Sequence, residues 1–203
     1  MTIADTLGLS DSQERVIVRV LQGVLFGFLV FGLTTGQLSM TITSGIALGV
    51  TLFPAILRRE YGYAMDAGLV LWITIAMILH TAGSLSLYSQ YQWYDEVTHT
   101  VSATIVAGIG YASFRALELH SDAIDVPSEF RTIFIVVFVL AMGIFWEILE
   151  FALGGLITVY GVDDIVTDMI FNTVGALIVA IWGTGYVGSL VGFFRERLRS
   201  TES

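Results

Sequence analysis

Glu147 and Glu150 lie three residues apart in an otherwise uncharged apolar run from Thr132 to Tyr160. An ionised carboxylate at bilayer depth costs at least about 2.5 kcal/mol, so the pair calls for a reason. Three further features share its chemistry. Asp95 and His99 are four residues apart on one helical face, which Ser102 continues. Asp164, Asp168 and Asn172 form an i, i+4, i+8 stripe with Gly175 near its continuation. His80 stands in another apolar run. Carboxylates and imidazoles without thiolates suit zinc, manganese or iron; calcium and magnesium fit imidazole less well. A bound metal would polarise a water or a phosphate oxygen. Without metal, the same residues suit a proton relay.

The elements that must position these residues are membrane helices. The chain has 203 residues, of which 55% are hydrophobic and 13% charged, with a mean hydropathy of +0.80. A soluble domain would carry about 25% charged residues. Six apolar segments reach spanning length: 16–35, 38–57, 67–87, 94–114, 132–160 and 165–194. The last two are longer than a span needs, so they tilt or run past the membrane face. Nothing marks a second domain, so residues 1–203 read as one all-α bundle of six transmembrane helices. Ser10 or Asp11 is the expected N-cap of the first helix, and that helix reads as an anchor rather than a cleaved signal peptide.

Charge sets the orientation. All nine basic residues are arginines. Arg15 and Arg19 open the first span, Arg58 and Arg59 follow the second, Arg115 and Arg131 flank the loop after the fourth, and Arg195, Arg197 and Arg199 end the sixth. With six spans they all fall on one side, and the positive-inside rule puts both termini in the cytoplasm of a multi-pass cell-membrane protein. The formal charge of −9 argues against nucleic acid as a partner. The absence of lysine and the acidic balance resemble the composition of halophile proteins. With no cysteine there is neither a disulfide framework nor a thiolate site.

Helix direction then gives depth. At 1.5 Å per residue, His80, Asp95, His99, Glu147, Glu150, Asp168 and Asn172 fall within roughly 0–20 Å of the outer face of a core about 30 Å thick. Three inward-facing stripes would make one polar pocket, as in helical-bundle metal sites. Every arginine is on the other side, so the carboxylates either hold protons or face a cation. Each stripe also has a structural reading: an intramembrane acid can hydrogen-bond a neighbouring helix, His80 can be a packed interfacial residue, and Asp95 a helix cap. Gly183, Gly185 and Gly188 spell G-x-G-x-x-G, but late in an apolar helix, where a dinucleotide fingerprint does not occur. Gly23/Gly27, Gly45/Gly49 and Gly188/Gly192 are spacings for close helix packing and for homo-oligomers through small-residue faces. Trp93 and Tyr94 read as interface anchors.

Tyr94-Asp95-x-x-x-His99, Trp146-Glu147-x-x-Glu150 and Asp164-x-x-x-Asp168-Met169-x-x-Asn172-x-x-Gly175-Ala176 together resemble the YjdF-like family of inner-membrane proteins. More distantly, the pattern is similar to VanZ-like membrane proteins linked to glycopeptide resistance. The resemblance implies a six-helix membrane protein and supplies no activity; the VanZ likeness points towards the envelope or lipids. The leading expectation is a metal-dependent membrane enzyme acting on a lipid or lipid-linked headgroup. Its candidate catalytic groups are Glu147, Glu150, His99 and Asp168. Asp95, Asn172 and Asp164 would orient them or bind the cofactor. His99, Glu147, Glu150, Asp168 and His80 are the candidate ligands of a divalent metal. The alternative is a proton- or cation-coupled transporter, and the third reading is a structural or assembly protein.

Overall fold

The computed structural model describes residues 8–120, 126–154, 161–182 and 188–200. Helix α1 (Asp11–Thr35) begins at Ser10, whose side chain and that of Gln13 form a reciprocal capping box. It stops at Gly36, where φ is 70° and a side chain would be strained. Helix α2 (Leu38–Tyr61) ends the same way at Gly62. Helix α3 (Ala67–Gln90) starts at the N-cap Asp66 and contains a π-helical turn over Gly83–Leu87. Then follow α4 (Gln92–His120), α5 (Ser128–Ala152), α6 (Val162–Trp182) and α7 (Gly188–Ser200). Helices α1 to α6 provide six spans long and apolar enough to cross a membrane.

Two segments differ from the sequence expectation. The run expected to stay helical from 132 to 160 begins at Ser128, after Pro127, and ends at Ala152. Gly154 and Gly155 follow, and glycine costs a helix about 1 kcal/mol per residue. Glu147 and Glu150 therefore stand in the last two turns of α5, nearer the end of the bundle than a helix reaching Tyr160 would put them. Tyr160 itself is outside the described residues. The run expected over 165–194 is two helices, α6 and α7, with residues 183–187 outside the description. Most of the G-x-G-x-x-G spelling falls there.

Helices α1, α2 and α3 pack on one another, as do α4, α5 and α6, and contacts of α3 with α4 join the two groups. The second group closes on an apolar layer of Ala103, Ala107, Ile135, Val139, Ala176 and Val179. Small residues let the helices approach closely, the usual device where lipid supplies no hydrophobic drive. The outer face of α5, including Ile133, Val137, Ile144, Ile148 and Phe151, is exposed and apolar, as a lipid-facing surface must be.

The arginines gather at one end. Helix α7 lies there, with Leu190 buried against Leu69 and Ala112, Phe193 stacked on Tyr63 at 4.3 Å, and Arg197 over the Tyr61 ring at 4.6 Å. The buried Glu118 carboxylate meets Arg115 at 2.7 Å and Arg131 at 3.7 Å, tying α4 to the start of α5. Glu14, 3% exposed, lies beside Gly68 in the first turn of α3, where the helix dipole favours an anion.

Candidate metal centre

The opposite end of the bundle holds Asp95, Glu96, Glu147, Glu150, Asp163, Asp164 and Asp168, and none of the nine arginines. Three helices bring the site residues inward. On α4, Thr98, His99, Ala103 and Ala107 share the buried face, and Asp95 is one turn earlier. On α6, Asp168, Asn172, Ala176 and Val179 form the buried stripe, with Asp164 half-buried one turn before it. On α5, the buried residues are Ile135, Val139 and Gly143. Continuing that face by three or four residues reaches the half-buried Glu147 and Glu150.

Glycines set how close these helices come. A Cβ on Gly175 would lie 2.5 Å from the Thr100 carbonyl oxygen and 2.6 Å from the Ala103 Cβ, so α6 can meet α4 there only through glycine. A Cβ on Gly143 would lie 2.8 Å from Asn172 Nδ2 and from Met169 Cε, so these α6 side chains occupy the space the glycine leaves on α5.

The result is a compact set of donors. His99 Nε2 stands 3.5 Å from Asp95 Oδ1 and 3.5 Å from Asp168 Oδ1. Asp95, His99 and Asp168 each offer one ligand atom, all within 4.8 Å of one another. Among the described residues this is the group of metal-capable side chains that converges so closely, and Glu147, Glu150, Asp164 and His80 are outside it. The 3.5 Å separations are long for a hydrogen bond, which prefers about 2.7–3.2 Å. They match a metal's ligand edge: donors at about 2.1 Å in a tetrahedron stand about 3.4 Å apart. Asn172, 7% exposed, lies beside His99, one turn along α6 from Asp168. One divalent ion would neutralise Asp95 and Asp168 together.

The other acids form a surrounding field. Asp168 lies within electrostatic reach of Asp95, Asp164, Glu147 and Glu150. Trp146 lies beside Glu150, and Glu147 Oε1 is a buried atom with no hydrogen-bond partner. A cleft of about 340 Å³ opens onto the group, lined among others by Tyr88, Asp95, Glu96, Asp163, Asp164 and Asp168.

His80 is not a member of the donor group but borders it. Its ring centroid is 5.8 Å from that of His99 and 5.7 Å from that of Trp146. Its Nδ1 is 2.8 Å from the Tyr88 hydroxyl. Nothing in the sequence marks Tyr88 as a site residue, because it reads as one more interface aromatic. The difference lies in the segment Gly83–Leu87, where the backbone leaves helical geometry at Ser86 and α3 kinks between His80 and Tyr88. The Tyr88 ring then lies across Gly83, where a Cβ would collide with it. Tyr94, expected as an interface anchor, also donates from its hydroxyl to the Leu79 carbonyl at 3.1 Å, fastening α4 to α3 beside His80.

The fold and this cluster of acids define a polytopic helical membrane protein with a polar site at one end of the bundle. The chain belongs to the family described as predicted membrane protein (DUF2238), whose model matches residues 16–189. No curated protein and no solved structure matches it.

Proposed function

We propose that this protein binds a divalent transition metal, zinc, manganese or iron, through Asp95, His99 and Asp168, and uses it on a lipid or lipid-linked substrate at the membrane surface. The observation that carries the reading is the equal 3.5 Å spacing of one imidazole nitrogen from the buried Asp168 and half-buried Asp95 carboxylates at an end of the bundle without arginine. Three protein ligands leave a coordination position open, the pattern of catalytic rather than structural zinc sites. A metal there would polarise a water or a phosphate oxygen. Glu147 and Glu150 are placed to act on protons of the bound group, and Asn172 to orient His99. By the positive-inside rule the acidic end faces away from the cytoplasm. The likeness of the motifs to VanZ-like proteins is in keeping with an envelope substrate.

Metal analysis of protein purified without chelator tests this directly. We expect one divalent ion per chain and near-complete loss of it in Asp168→Asn. Metal-free wild type whose zinc titration is unchanged by Asp168→Asn would overturn the proposal. A transport path is less well supported, because the layer between the site and the arginine end is apolar, from Ala103 to Val179.

A further inference from the structure

The cleft beside the donor group carries more negative charge than one metal ion balances. Five carboxylates line it, those of Asp95, Glu96, Asp163, Asp164 and Asp168, and none of its other lining side chains is basic. The N-termini of α4 and α6 begin beside it, and acids in a first turn are a common answer to the helix dipole. Each N-terminus supplies about half a positive charge, so the two together offset about one carboxylate. A divalent ion held by Asp95, His99 and Asp168 offsets two more. About two negative charges remain, on the outer acids Glu96, Asp163 and Asp164. Asp163 is exposed and the other two are half-buried. Among the described residues, the ion pairs at this end are those of His99 with Asp95 and Asp168, and none reaches the outer three. The floor of the cleft is buried: the Asp168 side chain is 5% exposed, lines the cleft, and makes no hydrogen bond among the described residues. His99 Nε2 at 3.5 Å is beyond the usual range of one.

We propose that the substrate of this site is a lipid whose headgroup carries a positive amine beside a phosphate, as ethanolamine and choline phospholipids do. The phosphate meets the metal position, and the ammonium sits among Glu96, Asp163 and Asp164. Asp164 stands one turn out from Asp168 on α6, about 6 Å along the axis, a step that a short ethanolamine linker matches. An anionic headgroup would meet only repulsion from the outer acids. The inference rests on the reading of Asp95, His99 and Asp168 as a ligand site acting on lipid, and adds the charge of the headgroup.

Native mass spectrometry of metal-free protein in a neutral detergent reads lipid binding without reference to metal. The probes are a phosphatidylethanolamine and a phosphatidylglycerol with the same chains. The test variant is Glu96→Gln with Asp163→Asn. The control, Glu60→Gln with Glu129→Gln, removes the same charge from exposed sites at the arginine end. Two rim charges with the strength of exposed ion pairs change affinity by about 3- to 10-fold. The test variant should therefore bind the ethanolamine lipid about 3- to 10-fold more weakly and the glycerol lipid no more weakly. An unchanged affinity for the ethanolamine lipid, an equal fall for both lipids, or the same fall in the control overturns the proposal. Wild type alone gives a second reading. Salt screens such charges, so ethanolamine-lipid binding should weaken as salt is raised, and salt-independent binding overturns the proposal. Free phosphoethanolamine should compete poorly; displacement of the lipid at equal concentration overturns the lipid source. Wild type that takes up no zinc removes the metal reading, and the lipid result still decides this one.

Discussion

Replacing Gly175 by alanine tests whether helix spacing sets the metal centre. The new Cβ would lie 2.5 Å from the Thr100 carbonyl oxygen, against about 3.4 Å for ordinary contact, and the obstacle is backbone that cannot turn aside. Helices α4 and α6 must therefore separate by about 0.9 Å at that level, since packed interiors hold no slack of that size. Asp168 lies seven residues, about two turns, along α6 from Gly175. If α6 moves as a rigid rod, the gap from His99 to Asp168 widens from 3.5 Å to about 4.4 Å, beyond the edge of about 3.4 Å that a tetrahedral metal spans. We expect Gly175→Ala to lower stability by about 1–3 kcal/mol, as overpacking does, and zinc affinity by about 10- to 100-fold. The control is Gly49→Ala, because a Cβ there meets nothing within 4 Å. Thermal unfolding in detergent and zinc titration read the two effects. A Gly175→Ala protein with wild-type melting and wild-type zinc affinity would refute the reasoning.

Three further outcomes follow from the same geometry. Asp168→Asn should fold and lose metal, measured by elemental analysis beside circular dichroism, because the amide keeps the shape but removes a ligand charge. Gly83→Ala should displace the Tyr88 ring and cost about 1–3 kcal/mol, visible as a lower melting point and altered near-ultraviolet dichroism. Glu118→Gln should destabilise the arginine end by about 1–3 kcal/mol, since Arg115 and Arg131 lose the carboxylate between them; zinc affinity should not change, because Glu118 is at the opposite end.

Much of the architecture was legible before folding was considered. Hydropathy gives six spans because the bilayer demands runs of about 20 apolar residues whatever surrounds them. The arginine census separates the two ends because each span reverses the chain. The i, i+4 spacing of Asp95 with His99 and of Asp164 with Asp168 puts each pair on one face by helix geometry alone. The end of α5 was not legible as apolar content, because hydropathy counts Gly154 and Gly155 as part of the run while helix formation does not.

What the sequence determined, then, is that five acids and two histidines share one end of a six-helix bundle with no arginine to balance them. Which of them meet was decided by tertiary structure. Glu147 and Glu150 are the most conspicuous acids in the chain, yet the close group is Asp95, His99 and Asp168. Periodicity fixes a residue's angle on its own helix, while the gap between two helices depends on what packs between them. Here that is the missing side chain of Gly175 against Thr100 and Ala103. The contact of Tyr88 with His80 was likewise not legible, since the kink at Ser86 redirects the chain beyond it and leaves no period in the sequence to read.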